Sequence, residues 1–185
     1  MARQLIVVDL ETTGLHDEAV PLEVALLNVD TGESMRFVPH VTVEQMSAAQ
    51  PEALEFNRYF DRGIAREMLT EQQTAVAWAE VQDWLRGNTF AGSNPAFDSA
   101  IVARQLVAYG TGLPETVGRV WHHRLADLAA YAAGKFNVAP TALEGLDGVA
   151  ERLHVAVVDR HSAIGDAFAT GLCFDILRSI PASAL

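Results

Sequence analysis

Residues 4–15 read Q-L-I-V-V-D-L-E-T-T-G-L, from Gln4 to Leu15. Gln4 to Leu10 is a short apolar run rich in β-branched residues, the pattern of a buried strand. Asp9 and Glu11 stand two positions apart at its end. Side chains alternate along a strand, so the two carboxylates share one face. The C-terminal edge of a strand is where α/β sheets place ligands. Carboxylates that close repel one another unless a cation lies between them, and a hard divalent ion takes oxygen ligands of this kind. On its own an Asp-x-Glu pair is weak, because most such pairs are solvated turn residues. The apolar strand before it and the Thr12-Thr13-Gly14 turn after it strengthen the reading.

Working outward, Val20 to Val29 reads as a second strand, Asp30-Thr31-Gly32-Glu33 as a turn, and Met35 to Val38 as a third strand. Ser47 to Tyr59 is expected to be helical, broken or started at Pro51. Thr74 to Arg86 has helical apolar spacing, stopped by Gly87, with Trp78 and Trp84 as core candidates. Thr89 to Ser93 is a short strand. Asn94 as N-cap and Pro95 at the first helical position then open a helix to about Tyr109. Arg119 to Leu125 is expected as a strand and Ala126 to Gly134 as a helix. Thr141 is expected to cap a helix to about Leu153, and the last helix runs from about Ser162 to Leu177. A meander followed by alternating α and β segments implies a mixed sheet flanked by helices, an α/β fold.

The chain has 185 residues, about one domain at roughly 150 residues per domain. Residues 1–180 are expected to form it, with 181–185 as a tail. Half the residues are hydrophobic and 20% are charged, which excludes wholesale disorder and a small disulfide scaffold. Cys173 is the single cysteine, so no intrachain disulfide can form, and it sits in an apolar helical stretch. The first apolar run is too short for a signal segment, and no run approaches the ~18 residues of a membrane span. A soluble, cytoplasmic protein is the expectation. Thirteen basic residues against 24 acidic give a net charge of −11. A broad basic nucleic-acid face reads the other way, so any grip on nucleic acid must be local or metal-assisted.

Two further stretches carry chemistry. N-P-A-F-D at Asn94 to Asp98 puts a carboxylate in the first turn of a helix, where the dipole alone would favour it. H-S-A-I-G-D runs from His161 to Asp166. Positions five apart on one helix differ by about 140°. His161 and Asp166 therefore converge only if His161 lies on the approach loop and Ser162 caps the helix.

Together, D-L-E-T-T-G-L, N-P-A-F-D and H-S-A-I-G-D resemble the DnaQ-like DEDDh 3′-to-5′ exonucleases, in that family's order and with its gaps. Leu22-Glu23-Val24-Ala25 is also similar to the family's second strand. The resemblance implies a ribonuclease H-like mixed five-stranded sheet, three antiparallel strands first and then parallel ones. It implies two Mg²⁺ or Mn²⁺ ions on Asp9, Glu11, Asp98 and Asp166, Asp9 serving both and Asp98 acting mainly through water. It makes His161 the general base of a two-metal hydrolysis of single-stranded 3′ ends to nucleoside 5′-monophosphates, in proofreading or repair.

By the same resemblance Thr12, Thr13, Gly14 and Leu15 contact the terminal nucleotide, with Asn94 and Phe97 beside them. Asn57 and Tyr59 fall where relatives often line the strand groove. Phe97 reads equally well as packing, and the aromatics of 57–60 equally well as core. The partner is a single-stranded 3′ end, DNA favoured over RNA, with a DNA polymerase as a second candidate. An RNA-trimming, oligoribonuclease-like enzyme is the alternative; Thr12 stands where that group is associated with methionine. A non-catalytic nucleic-acid or polymerase-binding module would be expected to have lost an acid.

Overall fold

The computed structural model describes residues 2–110 and 119–181. Its sheet is built around β1 (Leu5–Thr12), which has β2 (Pro21–Asn28) antiparallel on one side and β4 (Thr89–Gly92) parallel on the other. β3 (Ser34–Phe37) and β5 (Ala126–Asp127) complete the order β3-β2-β1-β4-β5. Three antiparallel strands followed by two parallel ones is the expected arrangement.

Strand alternation divides the core into two layers. Ile6, Val8 and Leu10 of β1 join Phe90, Trp78 and Leu106 on the side of α3 (Glu71–Leu85) and α4 (Pro95–Ala108). Val7 joins Ala25, Leu128 and Leu177 on the side of α5 (Leu128–Phe136), α6 (Leu146–Leu153) and α7 (Ala163–Ser179). By the same alternation Asp9 and Glu11 continue the Val7 face, toward α7. Trp78 and Cys173 are fully buried, as expected.

Of the helix expected over Ser47–Tyr59, broken or started at Pro51, α2 (Pro51–Phe56) does start at Pro51 but ends at Phe56, and a separate α1 (Val43–Ser47) precedes it. Thr42 starts α1 with a capping box to Gln45, and Pro51 sits in the first turn of α2. A single 3₁₀ turn, Ile64–Glu67, follows. α3 begins earlier than expected, because Thr70 and Gln73 form a capping box. Of the expected Arg119–Leu125 strand, Trp121 packs into the core against Phe90, but the ladder forms only at Ala126–Asp127. Asp127 then caps α5 by accepting from the Ala130 N–H. α6 starts at Leu146 behind Gly145, not at Thr141. Asn94 does occupy the N-cap position, yet with φ 103° its side chain makes no capping bond.

Gly165 fixes how α7 enters the fold. A Cβ there would lie 2.4 Å from the carbonyl oxygen of Val158 and 2.5 Å from that of Asp159. Both are backbone atoms, so the loop that leads to His161 would have to move. Gly165→Ala is expected to destabilise the protein by about 1–3 kcal/mol, read as a lower urea midpoint; an unchanged midpoint would contradict this packing.

Candidate active site

β1 and α7 deliver the first three acids. Asp9, Glu11 and Asp166 each present an oxygen such that the three atoms lie within 4.8 Å of one another. Ser162 makes this meeting possible: its hydroxyl accepts from the Gly165 N–H at 3.1 Å, starting α7 so that Asp166 falls in the first turn. His161 precedes the cap in a left-handed conformation, φ 63°, off the helix as the five-residue spacing requires. Asp98 comes from the first turn of α4, and its Oδ1 accepts from the Leu10 N–H at 3.1 Å.

The acids are crowded and short of counter-charge. Burial, and then the charges of Asp98, Asp166 and Glu11, hold Asp9 well above the ordinary carboxylate range, with Arg160 opposing. Burial and the charges of Asp166 and Glu23 push Glu11 up to about 8. Burial lifts Asp98 to about 7. Burial also lifts Asp166 to about 6, opposed by Arg160 and by a hydrogen bond from the His161 main chain. His161 is lowered, first by burial and then by the charge of Arg160, so its imidazole is neutral at neutral pH.

A divalent cation fits this donor set. One oxygen of Asp166 is taken by Arg160, whose guanidinium also grips Asp147 at 2.7 and 3.1 Å. The other, Oδ1, is buried with no hydrogen-bond partner among the described residues. A buried carboxylate oxygen left free beside two further carboxylates is a ligand position, with the guanidinium orienting it from behind.

Beside Glu11 opens a cleft of about 400 Å³ lined by Leu10, Thr12, Gly14, Leu15, Gln50, Phe56, Asn57 and Phe97 among others. Leu15 is 81% exposed and Phe56 63% exposed. The Phe56 ring lies 4.0 Å from the His161 ring, so the cleft and the histidine adjoin. Thr12 holds the turn by donating its hydroxyl to the Gly14 carbonyl at 2.8 Å, and the Thr13 hydroxyl accepts from Val20 N–H. Asn57 is buried and donates to the Thr12 carbonyl at 3.3 Å.

The structure thus brings Thr12, Gly14, Leu15, Asn57 and Phe97 to one cleft and leaves three expected contacts outside its walls. Tyr59, in the turn after α2, is only 3% exposed and packs with Leu22, Val38, Val41 and Ile64, the core alternative for the aromatics of 57–60. Thr13 is buried under the turn, and Asn94 is exposed at the start of α4. Sequence reading passed over Phe56, Gln50 and Arg160. Gln50, whose Oε1 accepts from the Leu15 N–H at 2.9 Å, carries no motif signal. Arg160 could have been suspected from its place beside His161.

The sequence model of the RNase_T exonuclease family matches residues 6–174. The chain belongs to this exonuclease family. Among solved structures it is similar to exonuclease I from Methylocaldum szegediense, at 18% identity and a TM-score of 0.73 over 96% of this chain and 40% of that one. It is also similar to E. coli exonuclease I in complex with a dT13 oligonucleotide, at 17% identity and TM-score 0.68, over 96% of this chain and 41% of that one. A zinc-bound form of the E. coli exonuclease I–ssDNA complex matches at 16% identity and TM-score 0.67, over 97% and 41%. At these identities the likeness shows the fold, ribonuclease H-like, and the chain spans about two fifths of those proteins' length. No curated protein matches by comparison. Among the described residues no helix is long and apolar enough to cross a membrane.

Raised carboxylate pKa values have a consequence for stability. A carboxylate that binds its proton more tightly folded than unfolded stabilises the fold below its unfolded pKa, and that contribution is lost as pH rises through the folded value. For Glu11 the window runs from its ordinary value of 4.5 to about 8. The metal-free protein should therefore lose thermal stability across this window, and added Mg²⁺ or Mn²⁺ should restore more of it at pH 8 than at pH 6. Calorimetry at neutral pH, in buffers of different ionisation enthalpy, should show protons released on metal binding. A melting-temperature gain independent of pH, with no proton release, would contradict these assignments.

Proposed function

We propose that the chain hydrolyses single-stranded nucleic acid from its 3′ end, DNA before RNA, releasing nucleoside 5′-monophosphates. The observation that carries the reading is the junction of the carboxylate cluster, His161 and a cleft of about 400 Å³. That volume lies at the small-ligand end of binding pockets, suited to a terminal nucleotide rather than a duplex. Membership of the exonuclease family supports it, as do the oligonucleotide complexes of E. coli exonuclease I.

Asp9, Glu11 and Asp166 would hold one divalent ion, with Asp9 and Asp98 toward a second; such ions, Mg²⁺ or Mn²⁺, neutralise the scissile phosphate and stabilise attacking and leaving oxygens. His161, kept neutral by burial and by Arg160, accepts the proton of the attacking water at an imidazole nitrogen. Leu15 and Phe56 offer exposed apolar surface on which the last bases stack. Thr12 and Gln50 keep the turn that presents Leu15 in shape. Bound cations also explain how a protein of net charge −11 accepts a polyanion.

Matched linear and covalently closed circular single-stranded DNA test the polarity. The 5′-labelled linear strand should shorten stepwise to mononucleotides while the circle survives; rapid cutting of the circle would mean an endonuclease. Asp9→Ala should abolish hydrolysis. His161→Ala should slow it by about 10²–10⁴ while retaining Mn²⁺ affinity by calorimetry. A full-rate His161→Ala enzyme at saturating metal would overturn the base assignment.

A further inference from the structure

Glu23 is the one ionisable residue of β2 and is wholly buried. A carboxylate in that position is tolerated only when paired. Arg36 Nε approaches it at 2.5 Å and Arg62 Nη2 at 2.9 Å, while the Ala163 N–H at the start of α7 points to it at 3.5 Å. Arg62 does more than neutralise it. Its other nitrogen, Nη1, donates to the carbonyl of His161 at 3.0 Å and to that of Asn57 at 3.4 Å. One guanidinium therefore joins the sheet, the end of α2 beside the cleft and the loop that carries His161.

That loop needs external support. Asp159 (φ 54°) and His161 (φ 63°) both adopt the left-handed region, which non-glycine residues reach only at an energetic cost. The His161 main chain is held at its carbonyl by Arg62. Phe56 lies against the imidazole. We infer that Arg62, anchored by Glu23, is a positioning residue for His161: it locks the left-handed backbone that aims the imidazole at the reacting water. The inference rests on the proposed role of His161 as general base.

The fork of Arg62 is what allows it to serve Glu23 and two carbonyls at once; lysine has the charge without the fork. Arg62→Lys should therefore keep a near-native melting temperature and Mn²⁺ affinity. Its kcat on a 5′-labelled single-stranded oligonucleotide should fall by about 10²-fold, the scale of a catalytic group misplaced from a distance, with KM little changed. Arg62→Ala should lose as much kcat and also some stability. If Arg62 acts through His161, adding Arg62→Lys to His161→Ala should cost almost nothing further. An unchanged kcat in Arg62→Lys, or an equal loss in both backgrounds, would overturn the inference. So would a kcat that tracks melting temperature across the lysine and alanine variants. A fast His161→Ala enzyme would instead bring down the general-base assignment itself.

Discussion

Mutual repulsion among three carboxylates at the end of β1 is the constraint on which the rest of the site depends. Asp9, Glu11 and Asp166 offer oxygens within 4.8 Å of one another. At that distance and an effective dielectric constant of about 20, each ionised pair repels by about 3–4 kcal/mol. Burial raises the pKa of all three, and for Asp9 and Glu11 the neighbouring carboxylates raise it further. Arg160 offsets part of the charge on Asp166. What remains is an unsatisfied demand for positive charge at one point, with a buried Asp166 oxygen directed at no partner among the described residues. A cluster of this kind at the edge of the central strand could hold a metal ion.

The surrounding structure keeps that arrangement from relaxing. β1 is pinned on both sides by strands, and α7 is seated by the Ser162 cap and by the close approach that only Gly165 permits. Around the acids the charge alternates: Asp147, Arg160 and Asp166 form one chain, and Arg36, Glu23 and Arg62 another. The first orients a ligand and the second reaches the main chain of His161. A protein of net charge −11 thus places three half-buried arginines beside these carboxylates.

The acids were legible because strand alternation and cap chemistry are local. Asp9 and Glu11 share a face by parity alone, and the five-residue gap from His161 to Asp166 resolves once Ser162 is read as a cap. The meander was legible for the same reason. What escaped was non-local or fine-grained. Arg62 and Glu23 are 39 positions apart, and nothing near either marks the pair. Tyr59 was placed in the groove because the turn that follows α2 has no periodicity to say which aromatic goes inward; Tyr59 is buried there, while Phe56 and Phe60 are exposed. The last strand was misplaced because Trp121 is apolar and buried without belonging to the ladder.

Anomalous X-ray scattering from crystals soaked in Mn²⁺ would decide whether this cluster is a metal site. A strong peak ligated by Asp9, Glu11 and the Oδ1 atom of Asp166 is expected, with Arg160 still on the other oxygen of Asp166. Saturating Mn²⁺ that leaves this position empty, with the three carboxylates still together, would contradict the metal assignment.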